Sequence, residues 1–203
     1  MKPRYKKKRC KKKKPSEKRK PPAITEEVLQ EAATRYLSRY VPSVEQFRRV
    51  LVRKVEKTIR ERGEGDKEEA LAMVEKEIQR RISGGYLQDQ RFAELWTEYL
   101  CERGKSLQQI RSTLYQKGIP GHMINKAIDS LERERDVVCF FAAVTYARKR
   151  RFGPFRENLE QRKARRQKDM ASMLRSGHRY DVVREIFDCK DLDELDLLIQ
   201  ERE

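Results

Sequence analysis

From Thr25 onward the chain repeats one pattern: apolar residues three and four positions apart, charged residues between them, and a glycine or proline to close. Such spacing predicts amphipathic helices. Thr25-Glu26-Glu27 reads as a helix start, and Val28, Leu29, Ala32, Ala33, Tyr36 and Leu37 form the stripe that follows. Pro42 ends this helix, and Ser43 caps the next with Gln46 three residues on, as in a capping box. Arg62-Gly63-Glu64-Gly65 is a break. Asp66 then starts a helix carrying Ala70, Met73, Val74, Glu77 and Ile78, which stops at Gly84-Gly85. The order then repeats. Asp89 caps a helix with Phe92, Ala93, Leu95, Trp96, Tyr99 and Leu100. Ser106 caps a second, ended by Gly118 in the left-handed position of a C-cap, and Pro120 opens a third with Met123, Ile124, Ala127, Ile128 and Leu131. No useful length alternates with period two.

The recurrence is a register. Ser43, Phe47, Leu51 and Lys54 align with Ser106, Ile110, Leu114 and Lys117, 63 residues later. Tyr36, Tyr99 and Tyr146 each lie seven residues before Ser43, Ser106 and Gly153, which marks a third, distorted unit. Its first helix carries Phe140, Phe141, Ala143, Val144, Tyr146 and Ala147, and its second resumes as MASMLRSG after a charged stretch. The expected organisation is a basic tail over 1–22, three-helix repeats over 23–84, 85–134 and 135–203, and a charged insertion in the third near 156–168. Each stripe reads as too narrow for a core of its own, so the expected fold is all-α, with tandem repeats stacked into a curved, elongated, solenoid-like array.

Composition agrees with that reading. Of 203 residues, 40% are charged and 37% hydrophobic, which suits helices with one apolar stripe and a wide charged face. No apolar run approaches the roughly 20 residues of a membrane helix, and the basic N-terminus lacks the apolar stretch of a signal peptide. A cytoplasmic protein without membrane contact is expected. Cys10, Cys101, Cys139 and Cys189 form no C-x-x-C pair, and His122 and His178 match no zinc spacing, so no metal or other cofactor is expected. Cys101 and Cys139 read as small core residues. The cations around Cys10 should lower its thiol pKa. Asp191, Asp193, Glu194 and Asp196 read as a helix start, not as metal ligands.

Charge changes the picture more. The net +16 is concentrated: residues 1–20 carry 13 Lys+Arg against one Glu, and residues 148–168 carry ten against two, which leaves the remainder slightly acidic. A polyanionic partner follows. The prolines and like charges of the tail predict disorder, with Lys6, Lys7, Lys8, Arg9, Lys11, Lys12, Lys13 and Lys14 neutralising phosphates without reading sequence. In the body, the second helix of each unit carries cations on its polar face: Arg48, Arg49, Arg53 and Lys54, then Arg111 and Lys117. Arg148, Lys149, Arg150 and Arg151 end the first helix of the third unit. If the units stack with a constant rotation, these faces line one surface. Phe152 and Phe155 either stack on bases there or pack against a neighbouring helix. Phosphate-loop, dinucleotide and nucleophile-elbow signatures are missing, and neither histidine has a carboxylate and nucleophile in pattern, so catalysis is not expected.

Two stretches carry a family resemblance. GYLQDQRFAELW (85–96) and ERGKSLQQIRSTLYQKGIP (102–120) resemble the central repeat of the RecX family of regulators of the recombinase RecA. Gly85, Leu87, Asp89, Phe92, Ala93, Gly104, Ile110, Leu114, Lys117, Gly118 and Ile119 carry it, and it extends over about 25–188, weakest after Gly153. The resemblance implies a curved stack of three-helix repeats that lies in the groove of a RecA filament on single-stranded DNA; separately, a monomer is expected. It implies a role in homologous recombination and DNA repair, through limits on filament growth, ATP hydrolysis and strand exchange. The lysine-rich tail departs from the family pattern. A rival reading is a helical-repeat protein that coats nucleic acid non-specifically through that tail.

Overall fold

A computed structural model describes residues 21–131 and 135–202; the tail cations from Lys6 to Lys14 and Cys10 lie outside the described residues. Among the described residues all regular structure is helical. Unit 1 comprises α1 (Glu26–Leu37), α2 (Val44–Arg62) and α3 (Lys67–Ser83); unit 2 comprises α4 (Asp89–Glu102), α5 (Leu107–Gln116) and α6 (Gly121–Asp129). Unit 3 comprises α7 (Arg135–Arg150), a 3-10 turn (Gly153–Phe155), α8 (Leu159–Arg175) and α9 (Tyr180–Asp188), with α10 (Leu192–Gln200) packed on that turn. No described helix is long and apolar enough to cross a membrane.

The caps explain the boundaries. Ser43 and Gln46 form the expected capping box, Ser43 Oγ accepting from Gln46 N at 3.2 Å and Gln46 Oε1 from Ser43 N at 3.3 Å. Thr25, Asp66, Ser106, Asn158 and Asp191 accept from first-turn amides of their helices in the same way. The Asp191 result accounts for the acidic run after Cys189. Asp89 behaves otherwise. Gln88 is the N-cap of α4, and the Asp89 carboxylate instead accepts from Val44 N of α2 at 2.8 Å, in the neighbouring unit.

Each unit has its own core. Leu29, Phe47, Leu51, Val74 and Ile78 anchor the first, Phe92, Ile110, Leu114 and Ile124 the second, and Phe140, Val144, Met173, Val183 and Ile186 the third. At about 1.5–3 kcal/mol per buried large side chain, this is the main stabilisation within a unit. The expectation that one unit cannot form a core is therefore corrected: three stripes turned toward one another enclose an apolar centre. Phe152 and Phe155 pack against the third core.

The charged stretch also differs from expectation. It is not an insertion before a resumed helix but the first half of α8. Arg, Lys, Gln, Glu and Ala are strong helix formers, and Asn158 caps the start. Its inward face carries arginines where apolar residues would stand. Arg162 donates to the carbonyls of Cys189 and Lys190, and Arg166 to that of Phe187 and to Asp188 (2.5 Å). These carbonyls end α9 and have no intrahelical partner, so cationic donors suit them.

Polar joints connect the units. Ser43 Oγ, at the start of α2, donates to Lys117 O at the end of α5 (2.6 Å); Ser106 Oγ, at the start of α5, donates to Ser176 O at the end of α8 (2.6 Å). The residue after each accepting carbonyl is a left-handed glycine, Gly118 at φ 82° and Gly177 at φ 83°. The second helices thus follow one another end to end, α8 to α5 to α2. Units 2 and 3 also meet through α4 and α7, where a Cβ on Gly104 would stand 2.9 Å from Tyr146 N.

Candidate functional site

The predicted cations separate into two kinds. Arg48 holds Glu75 at 2.6 Å and Glu45 at 2.9 Å, and Arg49 holds Glu45 at 2.9 Å, so both tie helices and turns of unit 1. Arg48 lowers the pKa of both carboxyls through these bonds. Arg111 reaches Asn125 of α6. Arg156 pairs with the buried Asp169 at 2.7 Å. With Arg162 and Arg166, these side chains are committed to the fold. By contrast, Arg53, Lys54, Arg151, Lys163, Arg165 and Lys168 are exposed and have no ion pair among the described residues.

A third set lies on aromatic rings. Lys117 Nζ stands 4.4 Å from the Trp96 ring centre, and burial there pushes its pKa down. Trp96 lies between Phe92 (5.6 Å) and Tyr99 (5.3 Å) along one face of α4, and Arg103 covers Tyr99 at 5.5 Å. In unit 3, Arg150 covers Tyr146 at 5.7 Å. Tyr99–Arg103 and Tyr146–Arg150 are one pair written in two repeats, each spanning a single helical turn. Lys149 joins them by donating to Arg103 O at 2.8 Å, and Arg148 lies over Phe155 at 5.5 Å. The Tyr146 hydroxyl is 2.8 Å from Ser176 Oγ, beside the joint that Ser106 makes.

The result is a strip from Lys117 through Trp96, Tyr99, Arg103 and Lys149 to Arg150. It runs along unit 2 and crosses into unit 3. Guanidinium groups on aromatic faces are desolvated on one side and held in place, while their outer N–H groups still point to solvent. That geometry suits phosphate or carboxylate, and the exposed Tyr99 ring adds a stacking face. Sequence reasoning found Lys117 and 148–151 but missed Trp96, Tyr99 and Arg103. The signal was in the tyrosine register, because the fourth residue after two of its three tyrosines is arginine.

The comparisons bear on the same region. The family model for RecX, second three-helix domain, matches residues 89–128, which cover α4 to α6. The chain is 33% identical over 170 residues to "Regulatory protein RecX" of Myxococcus xanthus, covering 84% of this chain and 89% of that protein. It is 30% identical over 121 residues to the protein of the same name from Trichlorobacter lovleyi, covering 55% of this chain and 70% of that protein. No solved structure matches.

Proposed function

The chain belongs to the RecX family, and we propose that it regulates the RecA recombinase by lying along its filament on single-stranded DNA. In this reading the stacked units follow a curved groove and limit filament growth, ATP hydrolysis and strand exchange. The repeated Tyr–Arg pair carries the reading, since it places matching cations of two units on one continuous strip that phosphates or carboxylates can follow. Arg53, Lys54, Arg148 and Arg151 add charge outside it. The protein acts in the cytoplasm as a regulator, without catalysis of its own. The test is charge reversal of Arg103 and Arg150 together, read as inhibition of RecA ATP hydrolysis on single-stranded DNA. Inhibition should weaken at least tenfold with the helical circular dichroism unchanged. Undiminished inhibition removes the strip from the mechanism.

A second reading is favoured by the 13 cations of residues 1–20: the protein coats nucleic acid through its tail. Affinity should then fall by orders of magnitude between about 50 and 200 mM salt.

A further inference from the structure

The peptide that makes the inter-unit joint is written three times and used twice. Ser43-Val44-Glu45-Gln46 opens α2, Ser106-Leu107-Gln108-Gln109 opens α5, and Asn158-Leu159-Glu160-Gln161 opens α8. In the first two, the cap donates to the carbonyl before a left-handed glycine of the next unit, and the third residue of the peptide lies over that glycine. A Cβ on Gly118 would stand 2.6 Å from Glu45 Cγ, and one on Gly177 would stand 3.0 Å from Gln108 Cβ. The apolar second residue packs inward: Val44 against the first core, Leu107 against the second.

The third copy is open. Asn158, Leu159, Glu160 and Gln161 are all exposed, Leu159 at 63%. The chemistry of the joint is nevertheless retained. A serine hydroxyl both accepts from its own helix and donates across the joint. Asn158 Oδ1 already accepts from Gln161 N at 2.9 Å, and its Nδ2 remains to donate. An aspartate would cap the helix equally well but would have no such donor.

The complementary half lies at the other end of the chain. α2 closes on Gly63 at φ 73°, the same left-handed glycine as Gly118 and Gly177, yet among the described residues no atom would meet a Cβ there within 4 Å. We propose that the start of α8 in one copy receives the Arg62–Gly63 end of α2 in a second copy. Asn158 donates to the Arg62 carbonyl, and Leu159 and Glu160 cover Gly63. The partner is a second copy of this chain, because the surface continues an interface that the chain already builds twice within itself. The two halves differ, so the contact is head-to-tail and produces an open series instead of a closed dimer. It stands independently of the role proposed above. The joint between units 1 and 2 has the same few bonds, so the contact is weak and appears only at high protein concentration.

Sedimentation equilibrium of the full chain tests it, up to about 0.5 mM and in about 0.3 M salt, so that the basic tails are screened. The weight-average mass should rise steadily above 24.3 kDa. Gly63→Asn keeps the left-handed backbone but adds a side chain where the joint closes, and Leu159→Glu places charge where an apolar contact forms. Each variant alone should remain a single chain with unchanged helical content. Mixed in equal amounts, the two should pair through their intact halves and stop at two chains. A wild type that remains a single chain over this range, variants that associate as the wild type does, or a mixture that forms no pairs would overturn the proposal.

Discussion

His178 tests whether the joints are equivalent in detail. It follows Gly177 as Ile119 follows Gly118, and both amides close the same helix-end motif, His178 N to Met173 O at 3.2 Å and Ile119 N to Leu114 O at 3.1 Å. An imidazole therefore occupies a site where the neighbouring unit places an alkyl group. It is 6% exposed, its Nε2 has no hydrogen-bond partner among the described residues, and its ring centre is 4.9 Å from that of Tyr146. Burial pushes its pKa down to about 4. Lys105, Cys139 and Arg179 line the adjoining cavity of about 110 Å³. The folded pKa lies below the unfolded value of 6.5, so stability is full above 6.5 and falls as pH drops toward 4. At pH 5 the unfolded chain holds nearly one proton more than the folded chain, a loss of about 2 kcal/mol relative to pH 7.5. His178→Ile should remove this loss and be at least as stable at pH 7.5, because an unpaired buried nitrogen is replaced by an apolar group. Urea unfolding at pH 7.5 and pH 5 measures it. Carboxylate titrations are common to both proteins and cancel. If the isoleucine variant loses as much stability as the wild type between these pH values, the burial argument is wrong.

Four other outcomes follow from the joints and the cations. Gly118→Ala and Gly63→Ala carry similar backbone strain of about 1–2 kcal/mol, but only the first collides with Glu45, so its thermal unfolding should be lowered further. Arg162→Ala with Arg166→Ala should destabilise the chain by about 1–3 kcal/mol in urea unfolding, because α9 carbonyls lose charged donors. Reversal of Lys163, Arg165 and Lys168, which have no ion pair among the described residues, should leave stability within about 0.5 kcal/mol while weakening binding to single-stranded DNA. Arg151 is the one described non-glycine residue with positive φ, 54°, so Arg151→Gly should raise stability by about 1 kcal/mol and weaken filament inhibition.

Much of the fold was legible because helix ends are written locally. Ser43, Ser106, Gly63 and Gly118 fix boundaries through bonds to residues three or four away, so the repeat could be read from spacing alone. The start of α8 was missed because its inward face is Arg162 and Arg166, whose partners lie more than twenty residues later. Hydrophobic periodicity has no means of scoring such a face. Asp89 was assigned to its own helix because a local cap is the default reading, whereas its partner Val44 is 45 residues away. The same limit applied to the basic segments. Charge density marks 148–168, but which of its cations hold the fold and which stay exposed depends on carbonyls and rings from other helices.

In the proposed function the stacked units, not the basic tail, carry the regulation. The most direct measurement compares the full chain with one beginning at Pro21, whose carbonyl Arg62 holds at 2.8 Å. Both would be added to RecA filaments on single-stranded DNA while ATP hydrolysis is followed at about 0.15 M salt, where bare electrostatics are screened within about 8 Å. The shortened chain should still suppress hydrolysis at substoichiometric amounts. Suppression that appears only when residues 1–20 are restored would contradict that reading.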